Sequence, residues 1–165
     1  MLILTAALFT FINFASFRSG LEDGLQGIKV FETQRAEVEK RFKGSRNEED
    51  GYVKYLTDEF FIKVIYSTEP CSAPGTVSGG FKVPKNTVLE YNLRPREDLL
   101  LKDLDYQPSL YSRYEDGHVI GFINYYNKRD EIRITTFMTG HQKIEKVRSI
   151  SFGRTADQAS AFACK

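Results

Sequence analysis

The sequence predicts an α+β fold, a curved and mostly antiparallel sheet with one short helix packed on it. Three observations support this prediction. The stretch Gly51–Cys71 reads as a strong β-hairpin, and a second hairpin follows at Val119–Tyr126 and Glu131–Met138. One short amphipathic segment, Thr33–Phe42, has helical spacing. The helical segment Thr33–Phe42 precedes the first hairpin, and a short turn or helix at Glu97–Leu101 precedes the second, an order that also indicates two similar helix-plus-hairpin halves.

The first hairpin is the clearest element in the chain. Its second arm alternates apolar residues at Phe60, Ile62, Val64 and Tyr66, and a strand places such residues on one face. Its first arm is Tyr52–Leu56. Aromatic and β-branched residues dominate both arms, as is typical of a half-buried pleated surface. We therefore expect this hairpin to lie in the core of the sheet.

The helix is predicted from its cap and its spacing. Thr33 is placed as the N-cap, and Val38 and Phe42 at i and i+4 share the face that packs on the sheet. Gly44 fits a left-handed end of the helix. The charged run Ser45–Asp50 that follows is expected to be a solvated loop.

Further strands are predicted in the second half of the chain. Thr87–Leu93 alternates, and Lys143–Phe152 alternates if a bulge lies near Lys146. The tyrosine-rich run Asp105–Gly117 is expected to be a loop, and Arg154–Lys165 an irregular tail. The buried faces of these strands and of the hairpins are expected to include Leu89, Tyr91, Leu93, Ile132 and Ile134.

The N-terminal stretch Met1–Phe17 contains no charged residue, which fits the apolar region of a signal peptide. A retained membrane anchor and a buried core helix are the alternatives, because the stretch lacks a basic start and is short for a membrane span. Residues 18–26 are expected to be a linker, and residues 27–165 a single domain. We expect a secreted or periplasmic protein, anchored to the membrane only if residues 1–17 are retained.

Composition excludes several classes of protein. The 165 residues are 41% hydrophobic and 27% charged, as in an ordinary globular domain, and the net charge is +1. A charge this small gives no field that would recruit nucleic acid, so no nucleic-acid partner is expected. No phosphate-binding loop or calcium-loop pattern occurs, so no cofactor is expected either.

The two cysteines, Cys71 and Cys164, are predicted to form one disulfide, because an even number of cysteines in an exported chain favours pairing. The bridge would tie the C-terminal tail to the turn that follows the first hairpin. Two free, buried thiols are the alternative.

Catalytic signatures are weak. His118 and His141 are the two histidines, and neither has the spacing of a zinc site or of a catalytic motif. They are expected to be surface turn residues. The enzyme alternative is a small secreted hydrolase in which one of them acts with a carboxylate.

Tyrosines provide the best indication of a binding surface. Tyr106, Tyr111, Arg113 and Tyr114 are close in sequence, and tyrosine is favoured at binding surfaces because it is large, rigid and polar at its tip. The alternative is that these rings cover the sheet. The sequence therefore favours an extracytoplasmic binding or interaction domain whose protein or small-molecule partner is unknown.

Short motifs spread from Gly27 to Cys164 carry a family resemblance. The matching pieces include Gly27-Ile28, Val64-Ile65-Tyr66-Ser67, Pro70-Cys71, Val83-Pro84, Thr87-Val88, Asp103-Leu104, Tyr125-Tyr126-Asn127 and Ser149–Gly153. In these the chain resembles a group of uncharacterised exported bacterial proteins of the acidobacterial type. The resemblance implies export and paired cysteines but no chemistry. The opening also looks like outer-membrane lipoproteins of the SmpA/OmlA type and the β-lactamase-inhibitor fold, an analogy of fold alone.

Overall fold

A computed structural model describes residues 27–49, 52–72, 80–115, 121–139 and 144–164. The predicted signal peptide or anchor, the linker, and both histidines, His118 and His141, lie outside the described residues.

The described residues form one antiparallel sheet with two short helices. Its eight strands lie in the order β1-β2-β3-β4-β8-β7-β6-β5. The helices are α1 (Arg35–Arg41) and α2 (Ala156–Phe162). The strands are β1 (Ser45–Glu49), β2 (Tyr52–Leu56), β3 (Phe60–Tyr66), β4 (Val88–Pro95), β5 (Ser112–Glu115), β6 (Phe122–Asn127), β7 (Ile132–Thr139) and β8 (Ile144–Phe152). The predicted mostly antiparallel sheet with a packed helix is confirmed, and a second helix is added to it.

Strand order divides the sheet into two halves. Strands β1 to β4 and β5 to β8 each form a four-stranded meander, and β4 pairs with β8 where the halves meet. β1 and β5 are the two edges, so the sheet is open. The helical part is not repeated equally, since α1 precedes the first meander and two 3-10 turns, Leu101–Asp103 and Pro108–Leu110, precede the second.

The predicted core residues are buried. All nine named from the alternating strands have exposed fractions between 0% and 7%. Pairing register aligns Ile62 with Leu93, Leu93 with Ile150, and Ile150 with Ile134, so one apolar row crosses both halves. This continuous row makes the two meanders a single hydrophobic core.

Helix α1 begins at a different cap from the predicted one. Gln34 is the N-cap, and it exchanges capping hydrogen bonds with the backbone and side chain of Glu37. The Thr33 hydroxyl instead accepts the Lys29 N–H at 2.9 Å. The apolar face is as predicted, since Val38 and Phe42 are buried. A threonine followed by a glutamine leaves two candidate caps, and the local turn at Lys29 decides between them.

Gly44 is needed for close packing and not for a left-handed helix end. Its φ is outside the positive region. A Cβ atom there would lie 1.8 Å from the carbonyl oxygen of Leu56. The glycine therefore lets the chain entering β1 pass directly against the end of β2.

Three segments predicted to be irregular contain regular structure. Ser45–Asp50 contains β1, where Arg46 donates to Glu39 at 2.6 Å and ties the strand to α1. Asp105–Gly117 contains the edge strand β5, whose residues are all exposed and so show no hydrophobic alternation. Arg154–Lys165 contains α2, which begins with a capping box on Thr155. Polar pairing and capping, which hydrophobic periodicity does not detect, form these elements.

The predicted irregularity in β8 is present but displaced. Pairing with β7 shifts between Thr135 and Thr136, which leaves Arg148 as the extra residue of the bulge, two positions beyond Lys146. The shift returns Val147 and Glu145 to the buried side of the sheet.

The predicted disulfide is confirmed. Cys71 and Cys164 are bonded, with Cα atoms 5.6 Å apart. Backbone hydrogen bonds reinforce the contact, because Lys82 N–H donates to Phe162 O at 2.7 Å and Cys164 N–H donates to Gly80 O at 3.1 Å. The chain end is thus fastened to the segment before β4. Within the described ranges, no helix has the length and apolar character needed to cross a membrane.

The sheet has a helix face and an open face. On the helix face the Phe42 ring of α1's C-cap lies 6.2 Å from the Tyr55 ring, and Phe162 of α2 stacks on Phe31 at 5.1 Å. The carbonyl of Ile28, which like Phe31 lies in the segment before α1, accepts a hydrogen bond from the Tyr91 hydroxyl at 3.1 Å. The open face carries the alternate residues of each strand.

Candidate functional site

Between β4 and β5 the chain crosses the helix face of the second half of the sheet. The Val147 N–H donates to Leu99 O at 2.7 Å, and Leu100 forms a single antiparallel bridge with Lys146. Leu101 and Leu104 are buried in the common core. This crossing segment, the chain between β4 and β5, is therefore held against the start of β8 by hydrogen bonds at its beginning and by buried leucines along its length.

A groove with a volume of about 550 Å³ lies beside the crossing segment. Its lining residues, mostly apolar, are Leu100, Leu101, Lys102, Leu104, Tyr106, Pro108, Ile144 and Glu145. Ile144 is 40% exposed, which is high for a large aliphatic side chain. Groove dimensions of this order suit a small molecule or a short chain segment.

Two charged residues, Lys102 and Glu145, interrupt this apolar lining, and the carboxylate is the one that the protein orients. Glu145 is partly buried, and its Oε2 accepts hydrogen bonds from the Tyr125 hydroxyl at 2.6 Å and the Thr136 hydroxyl at 3.1 Å. Oε1 accepts no hydrogen bond from the residues that the structure describes. Both hydroxyl groups therefore fix the carboxylate in place through one oxygen and leave the other for a further donor.

Burial and charge keep the tyrosines of this site protonated. Burial, followed by the hydrogen bond to Glu145, raises the pKa of Tyr125 to about 12. The pKa of Tyr106 is also raised, first by burial and then by the charge of Glu145. Near neutral pH the Tyr125 hydroxyl is therefore a hydrogen-bond donor to the carboxylate.

Arg113 extends this arrangement. Arg113 is opposite Tyr125 in the pairing of β5 with β6, and its interaction with the Tyr125 hydroxyl is the largest cause of its raised pKa. Arg113 also lies 3.9 Å from Glu115 in an exposed ion pair. The Arg113 cation thus lies beside the tyrosine whose hydroxyl donates to Glu145.

The structure brings together three of the four residues predicted as a binding patch. The Tyr106 and Tyr111 rings meet edge to face with centroids 5.2 Å apart, and Arg113 reaches the same cluster through Tyr125. Tyr114 pairs with Asn124 and lies on the open face, because alternate residues of β5 point to opposite sides. Sequence proximity therefore grouped two surfaces that the sheet separates.

The sequence-based patch omitted Tyr125, Thr136 and Glu145, which form the polar centre. A signal existed at Glu145, an acidic residue in a strand that otherwise alternates toward the core. The signal was ambiguous because the bulge at Arg148 changes the face on which Glu145 lies.

The described side chains of this site suit the binding of a ligand. They form neither a metal site nor a nucleophilic centre. Among these residues no group of three or more His, Cys, Asp or Glu side chains could hold a metal ion. The hydrolase alternative depends on His118 or His141, outside the described residues. No protein-family model, curated protein or solved structure matches this chain. The ligand class that fits the groove therefore follows from its lining residues alone.

Proposed function

We propose that the protein is an extracytoplasmic binding domain, and that its groove takes a ligand with an apolar body and an amine head. The observation that carries this proposal is the oriented Glu145 carboxylate, with Oε1 available, set among apolar groove walls. A protonated amine would meet Oε1 in a charge-assisted hydrogen bond while its apolar body covers Ile144 and Tyr106. An acidic ligand would be repelled there.

Preorganisation supports binding at this position. The Tyr125 and Thr136 hydroxyls hold the carboxylate before any ligand arrives, so the ligand loses less free energy in ordering the site. The nearby cation Arg113 already forms an exposed ion pair with Glu115 at 3.9 Å.

The extracytoplasmic location is supported by the disulfide, because such bonds persist mainly in oxidising compartments. Export through Met1–Phe17 and the likeness to exported bacterial proteins remain predictions. Mass measurement of the native chain checks export: we expect a new N-terminus near residues 16–20. A soluble native chain that retains Met1 would contradict it.

Titration calorimetry of the full chain with three matched probes tests the ligand class. We expect 2-phenylethylamine to bind more tightly than 2-phenylethanol, and phenylacetate to bind least. Glu145→Gln should weaken amine binding about tenfold, which corresponds to a charge-assisted hydrogen bond of about 1.4 kcal/mol.

Glu131→Gln is the matched control. Glu131 also accepts a tyrosine hydroxyl, that of Tyr126 at 2.6 Å, but does not line the groove. Equal weakening by both substitutions, or equal binding of amine and phenylacetate, would contradict the proposal.

A further inference from the structure

One residue from each strand forms a straight row across the open face. Pairing register places these residues side by side in the order Asn47, Lys54, Lys63, Asn92, Ser151, Arg133, Tyr126 and Ser112. We call this set the polar row. At about 4.8 Å between strands, it extends over roughly 34 Å. Each of its residues is exposed or partly exposed among the described residues.

Cations lie toward both ends of the polar row. Lys54 and Lys63 are directly opposite each other on neighbouring strands. Arg133 lies three strands beyond Lys63, about 14 Å away. Arg94 adds a fourth cation on the same face, two residues beyond Asn92 of the row and opposite Phe61. All four side chains lie on the open face, where an anionic polymer that follows the polar row would contact them together.

The lysine end of the row lies in a depression of about 600 Å³. Its lining residues include Ser45, Asn47, Lys54, Leu56, Phe61, Lys63, Asn92 and Arg94. No described side chain in this lining is a carboxylate. Arg94 forms no ion pair with any residue that the structure describes. The depression is therefore basic, although the whole chain has a net charge of only +1.

Aromatic rings position the cations at each end. The Lys63 Nζ lies 3.8 Å from the centroid of the Tyr52 ring, and the Arg133 Cζ lies 5.6 Å from that of Tyr126. A cation therefore covers one face of each ring, and that face is unavailable for stacking. Amide and hydroxyl groups lie between the two ends, where Asn92 Nδ2 donates to Ser151 Oγ at 2.8 Å.

We propose that the open face binds a linear acidic polysaccharide along the polar row. Carboxylates of the polymer would meet Lys54, Lys63 and Arg133, and its hydroxyl groups would meet the amide and hydroxyl side chains between them. This surface is separate from the groove at Glu145 and does not depend on the amine proposal.

Two other anionic polymers fit the surface less well. A peptide crossing the strands would leave its own backbone groups without partners, because the backbone groups of interior strands are already paired; peptides add to sheet edges instead. Single-stranded nucleic acid gains much of its binding from stacking on open aromatic faces. On this surface Lys63 covers one face of the Tyr52 ring, and Arg133 covers one face of the Tyr126 ring.

Fluorescence anisotropy of labelled oligogalacturonate, a linear polyuronate, titrated with the full chain tests the proposal. We expect binding that weakens with added salt and that is lost when the probe's carboxylates are methyl-esterified. Lys54→Gln/Lys63→Gln, and separately Arg133→Gln, should each weaken binding about tenfold.

The matched control is Lys29→Gln/Lys40→Gln, which removes the same charge as the double lysine variant from exposed positions in the segment that covers the helix face. It should leave binding nearly unchanged. An equal loss in this control, or no binding by the full chain at low salt, would overturn the proposal. Tighter binding to a single-stranded oligonucleotide or to phosphatidylglycerol vesicles, compared at equal salt, would also overturn it.

Discussion

Loss of the Cys71–Cys164 bond should destabilise the chain strongly. The variant Cys71→Ser/Cys164→Ser removes the bond without leaving a free thiol. The bonded residues are 93 positions apart. Loop-closure entropy for that separation predicts a loss of about 4.7 kcal/mol in the free energy of unfolding. At about 3 °C per kcal/mol for a domain of this size, the thermal midpoint should fall by at most about 14 °C.

Contacts that remain after the bond is removed reduce this effect. Phe162 still stacks on Phe31 at 5.1 Å, and its carbonyl still accepts from Lys82. We therefore expect a measured loss of about 2–4 kcal/mol, the usual range for a disulfide. The separate variant Phe162→Ala keeps the bond and measures the packing contribution alone.

Urea denaturation and limited trypsin digestion under non-reducing conditions measure the two consequences. Cleavage after Arg154 should leave the C-terminal fragment attached in the wild type and release it in the double serine variant. An unchanged urea midpoint together with an equally protected tail would refute the reasoning, because the bond would then constrain neither the unfolded chain nor the tail.

Three further predictions concern the core, a close approach and alkaline pH. Val64→Asp should prevent folding, since Val64 is 1% exposed and burying an unpaired charge costs much free energy. Phe61→Asp, on the open face of the same strand, should still fold. Circular dichroism distinguishes the two variants, and a folded Val64→Asp would contradict the core assignment. Gly44→Ala should lower the thermal midpoint, because the added Cβ atom would clash with the Leu56 carbonyl. Gly153→Ala should not lower it, because the nearest atom to its added Cβ would be 3.5 Å away. Equal midpoints for the two variants would contradict the clash at Gly44. The pKa of Tyr125 is raised from 10.0 to about 12, so its protonated form stabilises the folded chain below pH 10 and this contribution is lost as the pH rises through 12. Urea midpoints of the wild type should therefore exceed those of Tyr125→Phe up to pH 10 and approach them by pH 12, and a gap that widened with pH would contradict the assignment.

Hydrophobic alternation was sufficient to predict the interior strands. The arms Tyr52–Leu56 and Phe60–Tyr66 were located within a residue of their observed ends because each buries one face. The edge strands β1 and β5 were not predicted, since β1 is charged and every residue of β5 is exposed. Helix α2 was missed because its capping box on Thr155 carries the signal and no residue of the helix is fully buried.

The candidate site could be predicted only in part. The sequence predicted Tyr106, Tyr111 and Arg113 as part of a binding patch, because they are close together in sequence and are residue types that favour binding. Tyr125 and Glu145 come from distant strands, and only the β-bulge at Arg148 brings Glu145 to the helix face. The polar row likewise depends on the register of all eight strands, and that register could not be predicted from the sequence.

Chemical-shift mapping of the ¹⁵N-labelled full chain with 2-phenylethylamine tests the central claim most directly. We predict that shifts are confined to the crossing segment between Leu100 and Pro108 and to the start of β8 at Ile144 and Glu145, and that Glu145→Gln abolishes them. Shifts centred elsewhere on the sheet, or shifts that persist unchanged in Glu145→Gln, would contradict the assignment of this groove as the ligand site.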